Sequence, residues 1–123
     1  HEIQRVKKKM AAGAGFFLTQ PVFSKEDAER IRRIKASTGA RILCGIMPLI
    51  SRKNALFMKN EIAGIHVPDE IIERYPEEGS KEAGEAMGVA VAREIMRYTE
   101  DFTDGYYFSF PFNRVYLLER ILN

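Results

Sequence analysis

Three apolar stretches of the 123-residue chain each end in residues suited to binding: Thr19-Gln20-Pro21, Gly45-Ile46-Met47-Pro48 and Ser109-Phe110-Pro111-Phe112-Asn113-Arg114. Gln20 carries one amide acceptor and two donors, enough to grip the polar edge of a ligand ring, and Pro21 directly after it restricts its backbone. The competing role for Gln20 is to satisfy nearby loop backbone. Arg114 is expected in the first turn of a last helix, where a cation opposes the helix dipole. It therefore either meets an anionic or carbonyl-bearing ligand or forms a surface ion pair. Asn54 falls one turn into the helix expected after Met47-Pro48, and Met58 lies four residues further on the same face, as a ligand contact or as core. Arg5, Lys7, Lys8 and Lys9 place four cations on one helical stretch. Such a group attracts a phosphodiester or pyrophosphate, or is simply a solvated face.

Other chemistries find little support. His1 and His66 have no Cys or carboxylate at ligand spacing, so no metal site is expected. The chain has no G-x-G-x-x-G, P-loop, G-x-S-x-G or H-E-x-x-H motif. Gly13-Ala14-Gly15 precedes a strand, whereas a dinucleotide fingerprint follows one. Glu77-Glu78 and Glu100-Asp101 lie on the helical side, away from the strand ends, and read as solvated.

The elements that must position these residues follow from period and punctuation. Ile3, Val6 and Met10 recur at helical spacing, so Glu2 to Ala12 reads as an amphipathic helix closed by Gly13 and Gly15. Phe16 to Gln20 is a short apolar run stopped by Pro21, the signature of a buried parallel strand. Ser24 caps a helix from about Lys25 to Ser37, with Ala28, Ile31 and Ile34 inward and Gly39 as its stop. Arg41 to Ile46 is a second strand, followed by a helix from Ser51 to Asn60. A connector, Gly64-Ile65-His66-Val67-Pro68, leads into a short helix ending near Tyr75. Ser80 starts the longest helix, with Ala83, Met87, Val91, Ile95 and Tyr98 expected on its buried side. Asp104-Gly105 turns into a third strand, Tyr106 to Phe110, and Asn113 to Leu122 forms the last helix.

Parallel strands separated by helices of ten or more residues imply βαβ crossovers and an α/β fold. About three strands are too few for a doubly wound sheet or a closed barrel, and their edges would be exposed. The expected architecture is a partial (β/α)8 TIM barrel, with the strand ends forming its binding mouth. The composition, 46% apolar and 29% charged with a net charge of +2, belongs to an ordinary globular chain. The basic surplus carries no stripe of interleaved aromatics, so nucleic acid is not an expected partner. No apolar run reaches the ~20 residues of a membrane helix. The single Cys44 fits a reducing, cytoplasmic setting.

Taken in order, Lys8-Lys9-Met10-Ala11-Ala12-Gly13-Ala14, Leu18-Thr19-Gln20-Pro21-Val22-Phe23, Gly45-Ile46-Met47-Pro48 with Asn54-Ala55-Leu56-Phe57, the Gly64 to Pro68 connector and Phe112-Asn113-Arg114 resemble the carboxyl-terminal part of the methylenetetrahydrofolate reductase family. The resemblance extends over essentially the whole chain. It implies residues 1–123 of a flavin-containing barrel that uses NAD(P)H and FAD to reduce methylenetetrahydrofolate to methyltetrahydrofolate, within a longer parent. Some members follow a homocysteine methyltransferase domain.

Residue by residue, the resemblance makes Gln20 a contact to the pterin and to the nicotinamide, and Asn54 and Arg114 further folate contacts. Met58 and Phe112 become apolar walls, and Glu2, Arg5, Lys8 and Lys9 neighbours of FAD. Arg5 stands where a well-known branch has Asn, and Met58 where it has an aromatic. The family's proton-donating glutamate and the aspartate beside the flavin belong to earlier strands, so no catalytic residue is assigned here. The isolated chain is expected to be inactive without the amino-terminal half of the barrel. Self-association of a non-catalytic half-barrel through its open edges is the alternative.

Overall fold

The computed structural model describes all residues from His1 to Asn123. Its elements run α1 (Glu2–Ala11), β1 (Phe17–Pro21), α2 (Lys25–Thr38), β2 (Ile42–Ile46), α3 (Arg52–Glu61), α4 (Asp69–Glu73), α5 (Lys81–Thr99), β3 (Gly105–Phe108), a 3-10 turn at Pro111–Asn113, and α6 (Leu117–Leu122). Three helices begin where a serine takes an orphan backbone N–H. Ser24 Oγ accepts from Asp27 N at 3.0 Å, Ser51 Oγ from Asn54 N at 2.9 Å, and Ser80 Oγ from Ala83 N at 3.1 Å. Gly39 ends α2 in the left-handed conformation, φ 68°, its N–H returning to Lys35 O. No helix is long and apolar enough to cross a membrane.

The sheet order is β1-β2-β3, with both pairs parallel. Both crossovers thus advance in the same direction, and right-handed connections put their helices on one face. This is the winding of a barrel, whereas a doubly wound sheet reverses direction and carries helices on both faces. Ile42, Cys44 and Ile46 are buried within the core, which also takes Val22, Ile31, Leu49, Ile95 and Leu117. The opposite face is thinly covered. Leu18 is 57% exposed, so β1 alternates between half-buried and open positions instead of being buried throughout.

Three other expectations are corrected. The ladder of β1 does not stop before Pro21, because an irregularity between Leu18 and Pro21 lets Pro21 pair with Gly45. The expected α5 stripe keeps Val91 and Ile95, but Ala83 is exposed, Met87 and Tyr98 are only half-buried, and Gly84, Glu85, Gly88, Val89, Ala92 and Thr99 are buried instead. A Cβ on Gly84 would fall 1.9 Å from the Ile50 carbonyl oxygen, and one on Gly88 2.1 Å from that of Leu49. The helix therefore rests directly on the backbone following β2. The last helix begins at Leu117, not Asn113, because Phe112 and Asn113 take positive φ values of 54° and 58° and interrupt the chain after Pro111. Non-glycine residues adopt that region at a cost, and two in succession at a strand's carboxyl end mark a loop held in place by its surroundings.

Candidate functional site

A cleft of about 570 Å3 opens between α1, β1 and α2, with Gly64 at its rim. Its size falls within the range of small-molecule sites. Glu2, Arg5 and Lys9 line it from α1, and Gln20 from the carboxyl end of β1. The structure therefore gathers four of the residues singled out above around one space. Gln20 is exposed, and a Cβ on Gly64 would stand 3.6 Å from its Nε2, so the connector leaves room for that amide. Gly64 also has φ 85°, a conformation that a side chain would strain.

Charge in the cleft is unevenly committed. Glu2 Oε2 accepts from Arg30 Nη1 at 2.6 Å, and Arg30 lies 3.6 Å from Asp27, whose carboxylate meets His66 Nδ1 at 3.4 Å. Asp27, Arg30 and His66 had no signal as a group in the sequence, since they come from one helix and a connector 39 residues apart. Arg5 and Lys9 form no ion pair within the chain, nor does Lys8, which lies on α1 outside the cleft lining. Cations left free beside a cleft are available to an anionic ligand, and the donor set fits a pyrophosphate.

The other candidates stand elsewhere at the carboxyl ends of the strands. Asn54 sits in the first turn of α3, where its Oδ1 accepts the Ile50 N–H at 3.2 Å. That commits the oxygen to the backbone and leaves the amide NH2 as the donor it can offer. Met58 is only 9% exposed and belongs to the core, so it walls no open cleft; its neighbours Ala55 and Leu49 occupy the same cluster. Phe112 is 77% exposed, its ring 6.0 Å from the Arg114 guanidinium.

Arg114 follows the 3-10 turn and is bound to a carboxylate that sequence reading did not single out. Glu85 on α5, with 6% of its side chain exposed, accepts from Arg114 Nη1 at 2.9 Å and from the Tyr116 hydroxyl, with Arg120 Nη1 at 3.8 Å. Glu85 looked like one more charge on a helix. Only its place one residue from Gly84, on the side that meets the backbone, could have pointed to its burial.

Burial raises the Glu85 carboxyl pKa, but hydrogen bonds from Tyr116 and Arg114 and the charges of Arg114 and Lys81 outweigh it, and the net value lies below the ordinary 4.5. Hydrogen bonding from Arg74 likewise lowers Glu94, and from Lys35 lowers Asp104. A carboxyl with a lower pKa folded than unfolded contributes stability that is complete above its unfolded value and lost as pH falls through its folded one. Stability is therefore expected to hold above pH 4.5 and decline below it. Denaturant unfolding across pH should show a shallower acid decline in Glu85→Gln; an unchanged decline would remove Glu85 from the contributors.

A one-directional parallel sheet with polar residues at its strand ends and a cleft of mixed charge beside β1 defines an α/β protein of the barrel-like class. The chain belongs to the methylenetetrahydrofolate reductase family, whose sequence model matches residues 1–105. Among solved structures it is similar to an uncharacterized protein from Clostridium thermocellum that binds two copies of 5-methyl-5,6,7,8-tetrahydrofolic acid, with a TM-score of 0.64 and 20% identity. That match covers 98% of this chain and 46% of the other, so this chain spans about half the neighbour's length. At this identity the likeness speaks to the fold. No curated protein sequence matches the chain.

Proposed function

We propose that residues 1–123 form the carboxyl-terminal part of a folate-binding barrel, and that the longer parent reduces methylenetetrahydrofolate to methyltetrahydrofolate with NAD(P)H and FAD. The observation that supports this most is the meeting of Gln20 with Arg5, Lys9 and Glu2 around one cleft, in a chain of this family. Gln20 would present its amide to the pterin edge, with donors and acceptor both matched. Asn54 would donate from its free NH2, and Arg114 would face a carboxylate or carbonyl of the folate. Phe112 would close one side, with Met58 packed behind. Arg5, Lys8 and Lys9 would hold the anionic part of FAD, and Glu2 would fix its place through Arg30. When bound, the flavin supplies hydride acceptance and donation. The single buried Cys44 is in keeping with a cytoplasmic setting.

Titration of the chain with 5-methyltetrahydrofolate and, separately, with FAD tests this reading. Saturable binding of both is expected, with Gln20→Ala weakening folate about tenfold, the cost of losing a polar contact to a matched ligand edge. No saturation with either ligand would sink the proposal for this chain. Self-association remains a second reading, because β1 is an unpaired sheet edge and Leu18 on it and Phe16 just before it are 57% and 59% exposed. A concentration-independent monomer in sedimentation would dismiss it.

A further inference from the structure

We infer that Tyr107 is a positioning residue for Gln20, acting across the full width of the sheet. This rests on the folate-binding reading above for its functional meaning, though not for its geometry. Between Leu18 and Pro21, β1 contains one more residue than the facing stretch of β2, Leu43 to Gly45. Such a bulge re-aims side chains and breaks the ladder locally. Here the broken ladder is repaired from the side. Gly45 N donates to Thr19 Oγ1 at 2.9 Å, and Thr19 Oγ1 donates onward to the Gln20 carbonyl at 2.7 Å. The Thr19 carbonyl accepts the hydroxyl of Tyr107.

Tyr107 lies on β3, two strands away, and pairs in register with Gly45 of β2. To reach Thr19 its ring must pass over Gly45, where a Cβ would stand 2.7 Å from the Tyr107 hydroxyl oxygen. Glycine at this position thus leaves a channel for the ring. The result is that the peptide groups on both sides of Gln20 are bound by side chains, Thr19–Gln20 by Tyr107 and Gln20–Pro21 by Thr19, and the amide of Gln20 leaves a backbone that is fixed before any ligand arrives. Burial raises the Tyr107 hydroxyl pKa, keeping it a protonated donor at neutral pH. Tyr106 provides the contrast. Its hydroxyl donates to Met96 O at 3.0 Å and meets Thr99 Oγ1 at 2.8 Å, on the helix-covered side of the sheet and remote from Gln20.

The test is a double-mutant cycle on 5-methyltetrahydrofolate affinity with Tyr107→Phe and Gln20→Ala, and with Tyr106→Phe as a variant that loses a structural hydrogen bond only. Tyr107→Phe is expected to weaken binding about fivefold in the native background and less than about twofold when Gln20 is already alanine, the mark of an effect carried through that amide. Tyr106→Phe is expected to lower Tm with affinity unchanged. Equal losses from Tyr107→Phe in both backgrounds, or an equal loss from Tyr106→Phe, would overturn the inference. A second readout needs no ligand: the Gln20 side-chain amide resonances in a 15N-labelled chain should move in Tyr107→Phe and stay put in Tyr106→Phe. If the native chain fails to bind folate, the proposed function falls. Those resonances then decide the inference by themselves, since unmoved signals in Tyr107→Phe would refute it.

Discussion

Alanine at Gly84 or Gly88 is expected to cost about 3 kcal/mol of stability, a large fraction of what a domain of this size has. In an exposed helix the same change would gain about 1 kcal/mol, because alanine is the better helix former. The sign reverses because the added methyl meets main chain. Its nearest neighbours would be Ile50 O at 1.9 Å for Gly84 and Leu49 O at 2.1 Å for Gly88. The Leu49–Ile50 peptide group is held on both sides. Tyr75 donates its hydroxyl to Leu49 O at 2.9 Å, and Ile50 N is held by Asn54 Oδ1 at 3.2 Å. The helix must then move as a body, opening the core around Val91 and Ile95. Ala83→Gly on the exposed side, by contrast, should cost only about 1 kcal/mol. Thermal melts of the three variants check this. A Gly84→Ala chain as stable as the native one would mean that α5 stands further from the β2 loop than described.

The second large effect is expected at Glu85. Truncation to alanine leaves Arg114 and the Tyr116 hydroxyl without their shared acceptor, and removing one partner of a buried pair costs about 3–5 kcal/mol. Arg114 keeps a quarter of its side chain exposed, which places the loss near the lower end, about 3 kcal/mol, or about 10 °C in Tm for a chain of this size. Glu85→Gln retains an acceptor and should lose less than half as much. The loss should be local in its consequences too: Phe112 and Asn113, held in the left-handed region, would be released, and limited proteolysis should cut between Pro111 and Tyr116 in Glu85→Ala first. Protection of that segment equal to the native chain would show that the turn is held by its own sequence instead.

Much of the fold was legible because its cues are local. Ser24, Ser51 and Ser80 each cap a helix within three residues of the serine, and Gly39 stops α2 by its own conformation. The alternation of strands and helices gave the class, and the strand ends located the residues worth following. What sequence reading missed depends on distance. The Glu85–Arg114 bond joins residues 29 apart, and nothing near either announces the other. The α5 stripe was misjudged because hydrophobic patterning scores glycine as neutral, whereas close helix-to-backbone contact selects glycine for its missing side chain. Met58 reads equally well as core or contact, and packing decided for core. The cleft was half legible: period placed Arg5 and Lys9 on α1, and punctuation placed Gln20 at a strand end, but only the fold brings α1 beside β1.

The spacing of the strand pairs also orders events during folding. Phe17 and Ile42 are 25 residues apart, whereas Leu43 and Gly105 are 62 apart. The longer closure costs roughly 0.8 kcal/mol more chain entropy. The β1-α2-β2 unit, with Ile31 and Ile42 in its core, is therefore expected to form first. The β3 strand must wait for α5 to settle on the Leu49–Ile50 backbone, so mutations at Gly84 and Gly88 should chiefly accelerate unfolding while those at Ile31 slow folding. Among the three strands, the one that supplies Tyr107 is then expected to join last, so the bulge at Thr19 acquires its fastening only after β1 and β2 have paired.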